Sequence, residues 1–282
     1  MSLVVSRRAV SAAGRPSVVG VAVASLYLFG VIVAAIFPSI LAPFDPLDAD
    51  SSRSLLAPGA EHFFGTDLAG RDVFSRVVYG ASYSVLVGFG ATAIAVFVGL
   101  AIGAASSIAP RIVDGAVSRV LSITMAFPEF LLALLVIGIA GPGPASVVLA
   151  IAIAATPVYA RVARSSALGV ANAPFVRAAE VLGVSPLRRF VVHIVPHTVQ
   201  PLVVLATIGV GTSIVSAAGL SFLGLGATPP TPEWGVIMSE GSNLLGTAWW
   251  VTLFPGLVLT ATVVSTSVVG RYLQARSSGA IR

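Results

Sequence analysis

The sequence predicts an all-α integral membrane protein with six transmembrane helices. Hydrophobic residues make up 56% of the 282-residue chain, and its mean hydropathy is +0.99. Only 10% of the residues are charged, whereas a typical soluble domain contains about 25%. The charges lie in short polar segments that separate apolar runs of about 20 residues, the length at which a helix crosses the ~30 Å hydrocarbon core of a bilayer.

The composition also limits the chemistry that the chain can perform. It contains no cysteine, which excludes disulfides and thiolate metal sites. All sixteen basic residues are arginines. Because a P-loop needs a lysine to reach the nucleotide phosphates, the chain has no such ATP site. The arginines are dispersed between apolar runs, so the pI of about 10.4 indicates orientation in a membrane rather than nucleic-acid binding.

The first part of the chain divides into a basic flank, a first span and a polar loop. Residues 1–17 carry three arginines and no acid, and the apolar run 18–37 is long enough to cross a bilayer. No small-x-small cleavage site follows it, so we expect an uncleaved helix. The loop 38–80 holds six acids against three arginines, which predicts a location outside the cytoplasm. Gly65 and Gly70 predict a turn that leads into an amphipathic helix on the membrane surface.

Residues 81–270 hold five further apolar runs. Arg111, Asp114 and Arg119 predict a short turn between the second and third spans. The prolines of segment 141–144 cannot continue a helix, so this segment predicts the outer turn between the third and fourth spans. We expect the second span at about 82–108 and the third to end near 140. The fourth, fifth and sixth spans are expected at about 145–160, 200–222 and 249–270, followed by a basic tail at 271–282.

The stretch 172–197 is a polar, arginine-bearing island between the fourth and fifth spans. Residues 177–180 predict a short helix, and Gly183 can end it by taking a positive φ. Pro186 can open the next helix, because a missing N–H is harmless in a first turn. A soluble helical turn pinned between two spans indicates a docking site for another protein.

The distribution of arginines predicts which side of the membrane this stretch faces. In the six-span arrangement, thirteen arginines lie on the side of 172–197 and of both termini, and the other three lie in the loop 38–80. Lysine and arginine are enriched in cytoplasmic loops of membrane proteins. We therefore expect both termini and 172–197 to lie in the cytoplasm, the compartment that holds ATP.

The same stretch resembles the EAA coupling loop of binding-protein-dependent ABC importer permeases. The matching residues are Ala178, Ala179, Gly183 and Pro196. In that family, the short helix of this loop seats in a cleft of a cytoplasmic ATPase and carries its closure into the membrane. Arg177 stands where the glutamate that gives the loop its name is expected, so the resemblance implies no fixed acid at that position.

Two further segments resemble the dipeptide, oligopeptide and nickel branch of this family. The segment 65–73, Gly-Thr-Asp-Leu-Ala-Gly-Arg-Asp-Val, is similar to the branch's GTDxxGRDV motif, and 221–235 also fits the branch. So does the sequence from His193 to Pro196, although many relatives carry isoleucine in place of the histidine. The chain is identified as a member of this branch, and within it as the second, or C-type, permease subunit. For 65–73, a turn before a helix and contact with an extracytoplasmic binding protein are compatible interpretations.

The resemblance implies a type I importer permease that pairs with a second permease subunit, two ABC ATPase subunits and an extracytoplasmic substrate-binding protein. It places the complex in the bacterial cytoplasmic membrane, with membrane lipid but no nucleic acid as a partner. ATP and Mg²⁺ would be bound by the ATPases, with no cofactor, metal or catalytic residue in this chain. The substrate would be a short peptide, or nickel or glutathione as in sibling branches. The implied ATPase-coupling residues are Phe175, Arg177, Ala178, Ala179, Glu180, Gly183, Ser185 and Pro196.

Glu129 is the one acid expected within a span. It follows Arg119 by ten residues, which in a straight helix places it ~15 Å deep, and Pro128 beside it predicts a kink. One interpretation is that Glu129 lines the passage and meets a cationic group such as a peptide amine. The other, which we favour, is a neutral acid that is hydrogen-bonded at the kink and buried against the paired subunit.

Other interpretations have less support. His193 and His197 have the spacing of a zinc helix motif, but the general-base glutamate is absent and Pro196 lies between them, so we expect no metal site. An ion-coupled carrier that uses Glu129 is a second hypothesis, although the chain shows no internal repeat of the kind such carriers commonly have. A membrane enzyme or scaffold is a third, and it lacks a catalytic constellation. Glycines of the spans, such as the pair four residues apart at 99 and 103, are expected to serve helix packing.

Overall fold

The computed structural model describes residues 17–277, and all regular structure within them is helical. A π-helical turn, Phe190–Ile194, joins two of the helices. The expectations for Arg7, Arg8, Arg15 and Arg282 lie outside the described residues. The α-helices of this part of the chain are α1 Val18–Ile36, α2 Pro38–Leu41, α3 Val73–Ile108, α4 Arg111–Thr124, α5 Glu129–Ala140, α6 Pro144–Ala171, α7 Pro174–Val181, α8 Pro186–Arg189, α9 Val195–Phe222, α10 Trp234–Gly241 and α11 Trp250–Ser277.

Five helical segments are long and apolar enough to cross a membrane: α1, α3, α6, the continuous run from α8 through α9, and α11. The helices α4 and α5 pass the same test only as a pair, and their axes bend by 94° at the break between them. With this pair counted as one broken span, the structure has the six passes that the sequence predicts. The third pass differs from the others because it is bent rather than straight.

The centre of the bundle is formed by α3, α6 and α9, with α1 and α11 packed along the outer side of α3 and α9. Small residues allow α3 and α6 to approach closely. A Cβ atom placed on Gly99 would lie 2.6 Å from the Cβ atom of Tyr159, and one on Gly103 would lie 2.7 Å from the Cβ atom of Ala163. The expectation that these glycines serve packing is confirmed.

The surface helix that the sequence predicts after Gly70 is absent as a separate element. Instead, Asp72 caps α3, since its Oδ2 atom accepts a hydrogen bond of 2.7 Å from the backbone N–H of Ser75. From there the helix runs without a break into the span. Arg76 lies in the first turns of α3. Its charge is compatible with burial there because its side chain is fully buried and pairs with acids.

The polar turn predicted around Arg111 is a 14-residue helix, α4. The helix α6 continues to Ala171, ten residues beyond the predicted end of the fourth span near Arg161. A helix can extend past the membrane, so the end of that span stays a prediction. The arginines of α6 are satisfied along the helix: Arg164 donates two hydrogen bonds of 2.5 and 2.6 Å to the Asp114 carboxylate, and Arg161 donates one of 3.0 Å to Ser122. These bonds hold α4 against the side of α6.

A pair of glycine substitutions on α3 tests the packing of α3 on α6. Gly103→Ala places a methyl group against the backbone of Ala160 and of Arg164, so we expect a loss of stability of about 1–3 kcal/mol. Gly90→Ala is the matched control, because the nearest atom to its new methyl group lies 3.8 Å away. The control should be neutral or slightly stabilising, since alanine is the better helix former. Thermal unfolding of the purified protein in detergent measures both, and equal melting temperatures would contradict this packing.

Candidate functional site

The helix α7 lies between two membrane passes and is anchored by two side chains. Val176 and Ala179, three residues apart on one face, are buried, whereas Arg177, Ala178 and Glu180 are exposed. Pro174 stands at the start of the helix, where its missing N–H costs nothing. The helix therefore rests on the protein body through a narrow apolar face and presents the rest of its surface outward.

Gly183 ends α7 as the sequence predicts. It has a φ of +76°, a left-handed conformation that glycine adopts without penalty. The N–H of Gly183 donates to the carbonyl of Glu180, and the N–H of Val184 donates to the carbonyl of Ala179, each at 3.0 Å. This pair of bonds is the Schellman motif, which satisfies the last carbonyls of a helix and fixes the direction in which the chain leaves it.

An ion pair closes the turn between α7 and α8. The Glu180 carboxylate lies 2.7 Å from Nη1 of Arg189, whose side chain is only 18% exposed. Ser185 precedes α8, and its carbonyl accepts a hydrogen bond of 2.9 Å from the N–H of Arg189. The segment α8 passes through the π-helical turn directly into α9, so Pro186–Phe222 forms one helical path. We call 174–189 the elbow.

The elbow exposes large apolar side chains. Val181 is 88% exposed, Leu182 82%, Leu187 72% and Phe175 45%. We call these four residues the elbow surface. Several large apolar side chains exposed on one short polar segment indicate a protein interaction site. Of these four residues, only Phe175 was predicted from the sequence as a site residue. The apolar residues on either side of Gly183, in an otherwise polar stretch, could have indicated the others.

Phe175 also connects the elbow to the start of α9. Its ring centroid lies 5.1 Å from that of His197 and 6.3 Å from that of His193. The Nδ1 atom of His197 donates a hydrogen bond of 2.7 Å to the carbonyl of His193. Within residues 17–277 no group of three His, Asp or Glu side chains is placed to hold a metal ion. Both histidines thus take part in contacts of the elbow with α9, next to the exposed Pro196.

Arg177 makes one hydrogen bond on the elbow. Its Nη2 atom donates to the side-chain oxygen of Asn172 at 3.3 Å, and the side chain is otherwise exposed. The arginine that replaces the acid expected from the resemblance therefore points away from the protein body and is available to a partner.

Glu129 lies in the first turn of α5, half-buried, directly after Pro128. The axis of α5 is bent by 94° from that of α4. Between Asp114 and Ser122, α4 advances ~12 Å, but the residues of α6 that bind them are only three positions apart, or ~4.5 Å. The helix α4 therefore runs obliquely across α6, and the count from Arg119 does not follow one straight helix. The depth of ~15 Å stays a prediction.

At the opposite end of the bundle, the 65–73 motif forms a buried ion-pair cluster. Asp67 lies 2.7 Å from Arg71 and 2.6 Å from Arg76, and Glu240 of α10 lies 3.0 and 2.7 Å from the same two arginines. Both arginines and Asp67 are buried. Four charges therefore tie the loop before α3 to α3 itself and to α10. We call this set the outer cluster.

The 221–235 segment packs beside the outer cluster. Glu233 is fully buried and caps α10, accepting a hydrogen bond of 2.9 Å from the N–H of Val236. Burial raises the pKa of the Glu233 carboxyl, although the N–H groups of α10 act in the opposite direction. Trp234 donates a hydrogen bond of 2.9 Å to the carbonyl of Val77 on α3. The two motifs that are distant in sequence therefore form one structural unit.

The structure is thus a multi-pass membrane bundle with an exposed helical elbow between two of its passes. Residues 71–279 match the family described as "Binding-protein-dependent transport system inner membrane component". The chain therefore belongs to this family and is an inner-membrane permease component.

Relatives are similar over most of their length. The chain is 39% identical to the dipeptide transport system permease protein DppC of Alkalihalophilus pseudofirmus, over 85% of this chain and 79% of that protein. It is also 39% identical to the glutathione transport system permease protein GsiD of Escherichia coli, over 88% of this chain and 82% of that protein. A chain in a crystal structure of the MetNI methionine ABC transporter shares the fold, with a TM-score of 0.59 and 20% identity over 71% of this chain and 95% of that chain.

Charge-removing substitutions test the outer cluster. Arg76→Gln leaves Asp67 and Glu240 with less compensation in a buried site, and breaking a buried ion pair costs about 3–5 kcal/mol. Arg53→Gln is the matched control, because this arginine is 46% exposed and its pairs with Asp50 and Glu61 are accessible to water. We expect it to cost less than about 1 kcal/mol. Thermal unfolding in detergent measures both, and a melting temperature for Arg76→Gln equal to that of the control would refute the assignment.

Proposed function

We propose that this chain is one of two permease subunits of an ATP-driven importer that moves short peptides across the cytoplasmic membrane. The elbow is its docking site for a separate ABC ATPase. The observation that carries the proposal is the elbow surface: large apolar side chains that are exposed on a segment whose geometry is fixed. Burial of apolar surface stabilises an interface by about 25 cal/mol per Å². Two leucines and a valine that are more than 70% exposed provide such surface.

The elbow is built to transmit a displacement. The Gly183 turn and the Glu180–Arg189 pair fix α7 relative to α8, and α8 continues into α9 without a loop. The helix α9 in turn packs against α3, α6 and α11. A partner that shifts the elbow therefore shifts the central helix of the bundle. Alternating access between the two sides of the membrane follows if the two ATPases close and open in turn.

The proposed orientation places the elbow in the cytoplasm. The elbow end of the bundle carries most of the arginines of the described region, and these are the charges that the positive-inside rule counts. At the other end, Arg71 and Arg76 are neutralised by the acids of the outer cluster. ATP and Mg²⁺ would bind to the ATPase subunits, since the chain has no lysine for a P-loop. The end with the outer cluster would receive substrate from an extracytoplasmic binding protein.

The substrate class follows from the relatives. One is named for dipeptide and another for glutathione transport, each at 39% identity. Both ligands contain a peptide bond and charged termini, so a short peptide is the shared chemistry. Glutathione is the specific alternative and nickel is a further one. The described region offers no cluster of metal-ligating side chains, but the paired permease would supply half of the passage.

Substitutions on the elbow surface test the docking proposal. Leu182→Asp and Leu187→Asp place a charge in the proposed contact, so we expect ATP-driven uptake of a dipeptide into vesicles to fall at least tenfold. The conservative changes to methionine should retain uptake. Leu68→Asp is the matched control, since this leucine is 64% exposed at the opposite end of the bundle. Normal uptake by both aspartate variants, at normal amounts in the membrane, would refute the proposal.

Although the sequence favours a packing role for Glu129, we propose it as a residue of the passage. Its carboxylate forms no ion pair with the other described residues, and an intramembrane acid usually faces a cavity or a charged partner. A proton-coupled carrier would use the same carboxylate, but uptake would then respond to uncouplers rather than to loss of the ATPase.

A conservative change distinguishes these roles. Glu129→Gln removes the charge and keeps the shape, so uptake of cationic peptides should fall about tenfold while that of neutral peptides changes little. Glu61→Gln, an acid 70% exposed in the loop before α3, is the control. Unchanged selectivity together with a lower melting temperature of the complex would favour the packing interpretation instead.

A further inference from the structure

The helix α4 has an exposed face that the membrane bundle does not cover. Ile112 is 87% exposed, Val120 59% and Ile123 58%, and these residues share one side of the helix. The opposite side is held by α6, where Leu121 is buried and Asp114 pairs with Arg164. The free face is therefore fixed in its orientation, and it is apolar.

Two arginines flank this apolar face. Arg111 and Arg119 are both exposed, and neither forms an ion pair with another described residue. The other arginines nearby are occupied, Arg164 by Asp114 and Arg161 by Ser122. Arg111 and Arg119 are two turns apart on the same side of the helix, so α4 presents two uncompensated positive charges beside an apolar stripe.

A shallow groove lies between the two arginines. It has a volume of about 530 Å³ and is lined by Arg111, Ile112, Gly115, Ala116, Arg119, Val120 and Ile123. Gly115 and Ala116 are its smallest lining residues, and a Cβ atom at Gly115 would meet nothing within 4 Å. The lining therefore combines two arginines with apolar side chains, a pairing that suits a molecule with an anionic head and a hydrocarbon tail.

The position of α4 fits the same kind of molecule. Two residues separate it from the end of α3, it runs obliquely across the second half of α6, and the chain bends by 94° between α4 and α5. Amphipathic helices with cationic and apolar sides lie in the membrane–water interface, with the apolar side among acyl chains. We propose that α4 is an interfacial helix that binds an anionic phospholipid of the leaflet on the elbow side, with its headgroup between Arg111 and Arg119.

This site has a consequence for the passage. The helix α4 leads directly into the bend at Pro128 and Glu129, so a lipid that holds α4 in the interface also fixes the entry of α5 into the membrane. The lipid is thus positioned to set the angle of the broken third pass. This assignment depends on the membrane location of the chain and not on the identity of the transported substrate.

The absence of native cysteine allows a direct test by site-specific labelling. A fluorophore on Ile112→Cys in the assembled transporter, reconstituted in vesicles, is exposed to brominated phosphatidylglycerol, brominated phosphatidylcholine or aqueous acrylamide. We expect quenching by the lipids, stronger for phosphatidylglycerol, and little by acrylamide. Labels on Ile139→Cys, exposed on α5, and on Glu61→Cys in the polar loop are the controls for lipid and for water. Ile123→Cys on the same face replaces position 112 if that variant does not assemble.

We expect the stronger quenching of the α4 label by anionic lipid to depend on the groove. Each basic residue at an anionic surface strengthens association by about fivefold, so the double variant Arg111→Gln, Arg119→Gln should lower the preference for phosphatidylglycerol at this label at least fivefold. Gly115→Leu fills the groove without changing charge and should also remove the preference, whereas Arg53→Gln at the opposite end should not.

Three results would overturn the assignment. Quenching by acrylamide as strong as at position 61 would place the face in water. Protection from lipid and acrylamide alike would show that the paired permease or another protein covers it. Equal quenching by the two lipids in the unsubstituted background would show lipid contact without a site for an anionic headgroup.

Discussion

The geometry of the elbow depends on a left-handed glycine and one ion pair. Gly183 turns the chain out of α7 at a φ of +76°, and Glu180 then reaches Arg189 across the turn at 2.7 Å. The turn thus holds the exposed leucines on either side of it in a defined position. Because α8 continues into α9 without a loop, the closed turn connects α7 to the central helix of the bundle.

Specific ion pairs also position other parts of the molecule. Few ionisable groups are present, and several of them are paired with a specific partner at the two ends of the bundle. Arg76, which is fully buried, meets Asp67 and Glu240 at one end, and Arg164 meets Asp114 at the other. Breaking such pairs leaves a buried charge without compensation. The two ends of the bundle are therefore fixed by ion pairs, and the middle by close contacts between small residues such as Gly103 and Ala163.

Local signals in the sequence predicted the elbow well. A polar island between apolar runs, a glycine free to adopt positive φ and a proline at a helix start each have a local physical meaning, and the structure has all three features. Failures occurred where the outcome depended on partners distant in sequence. The continuation of the helix α6 past Arg161 and Arg164 was not predicted, because their bonds to Ser122 and Asp114, about 40 and 50 residues earlier, could not be seen. The bend before Glu129 was expected, but not its angle of 94°. Likewise, Arg71 and Arg76 resembled the polar flank of a surface helix because their partner Glu240 lies far along the chain.

Photo-crosslinking from position 182 in the assembled transporter, in native membranes, tests the central claim most directly. A photoreactive residue there should form a product with an ABC ATPase subunit, and one at position 68, at the other end of the bundle, should not. The yield at position 182 should also change when ATP is added, because the elbow moves with the ATPase. A product of position 182 with lipid alone, or an ATPase product from position 68 instead, would contradict the account.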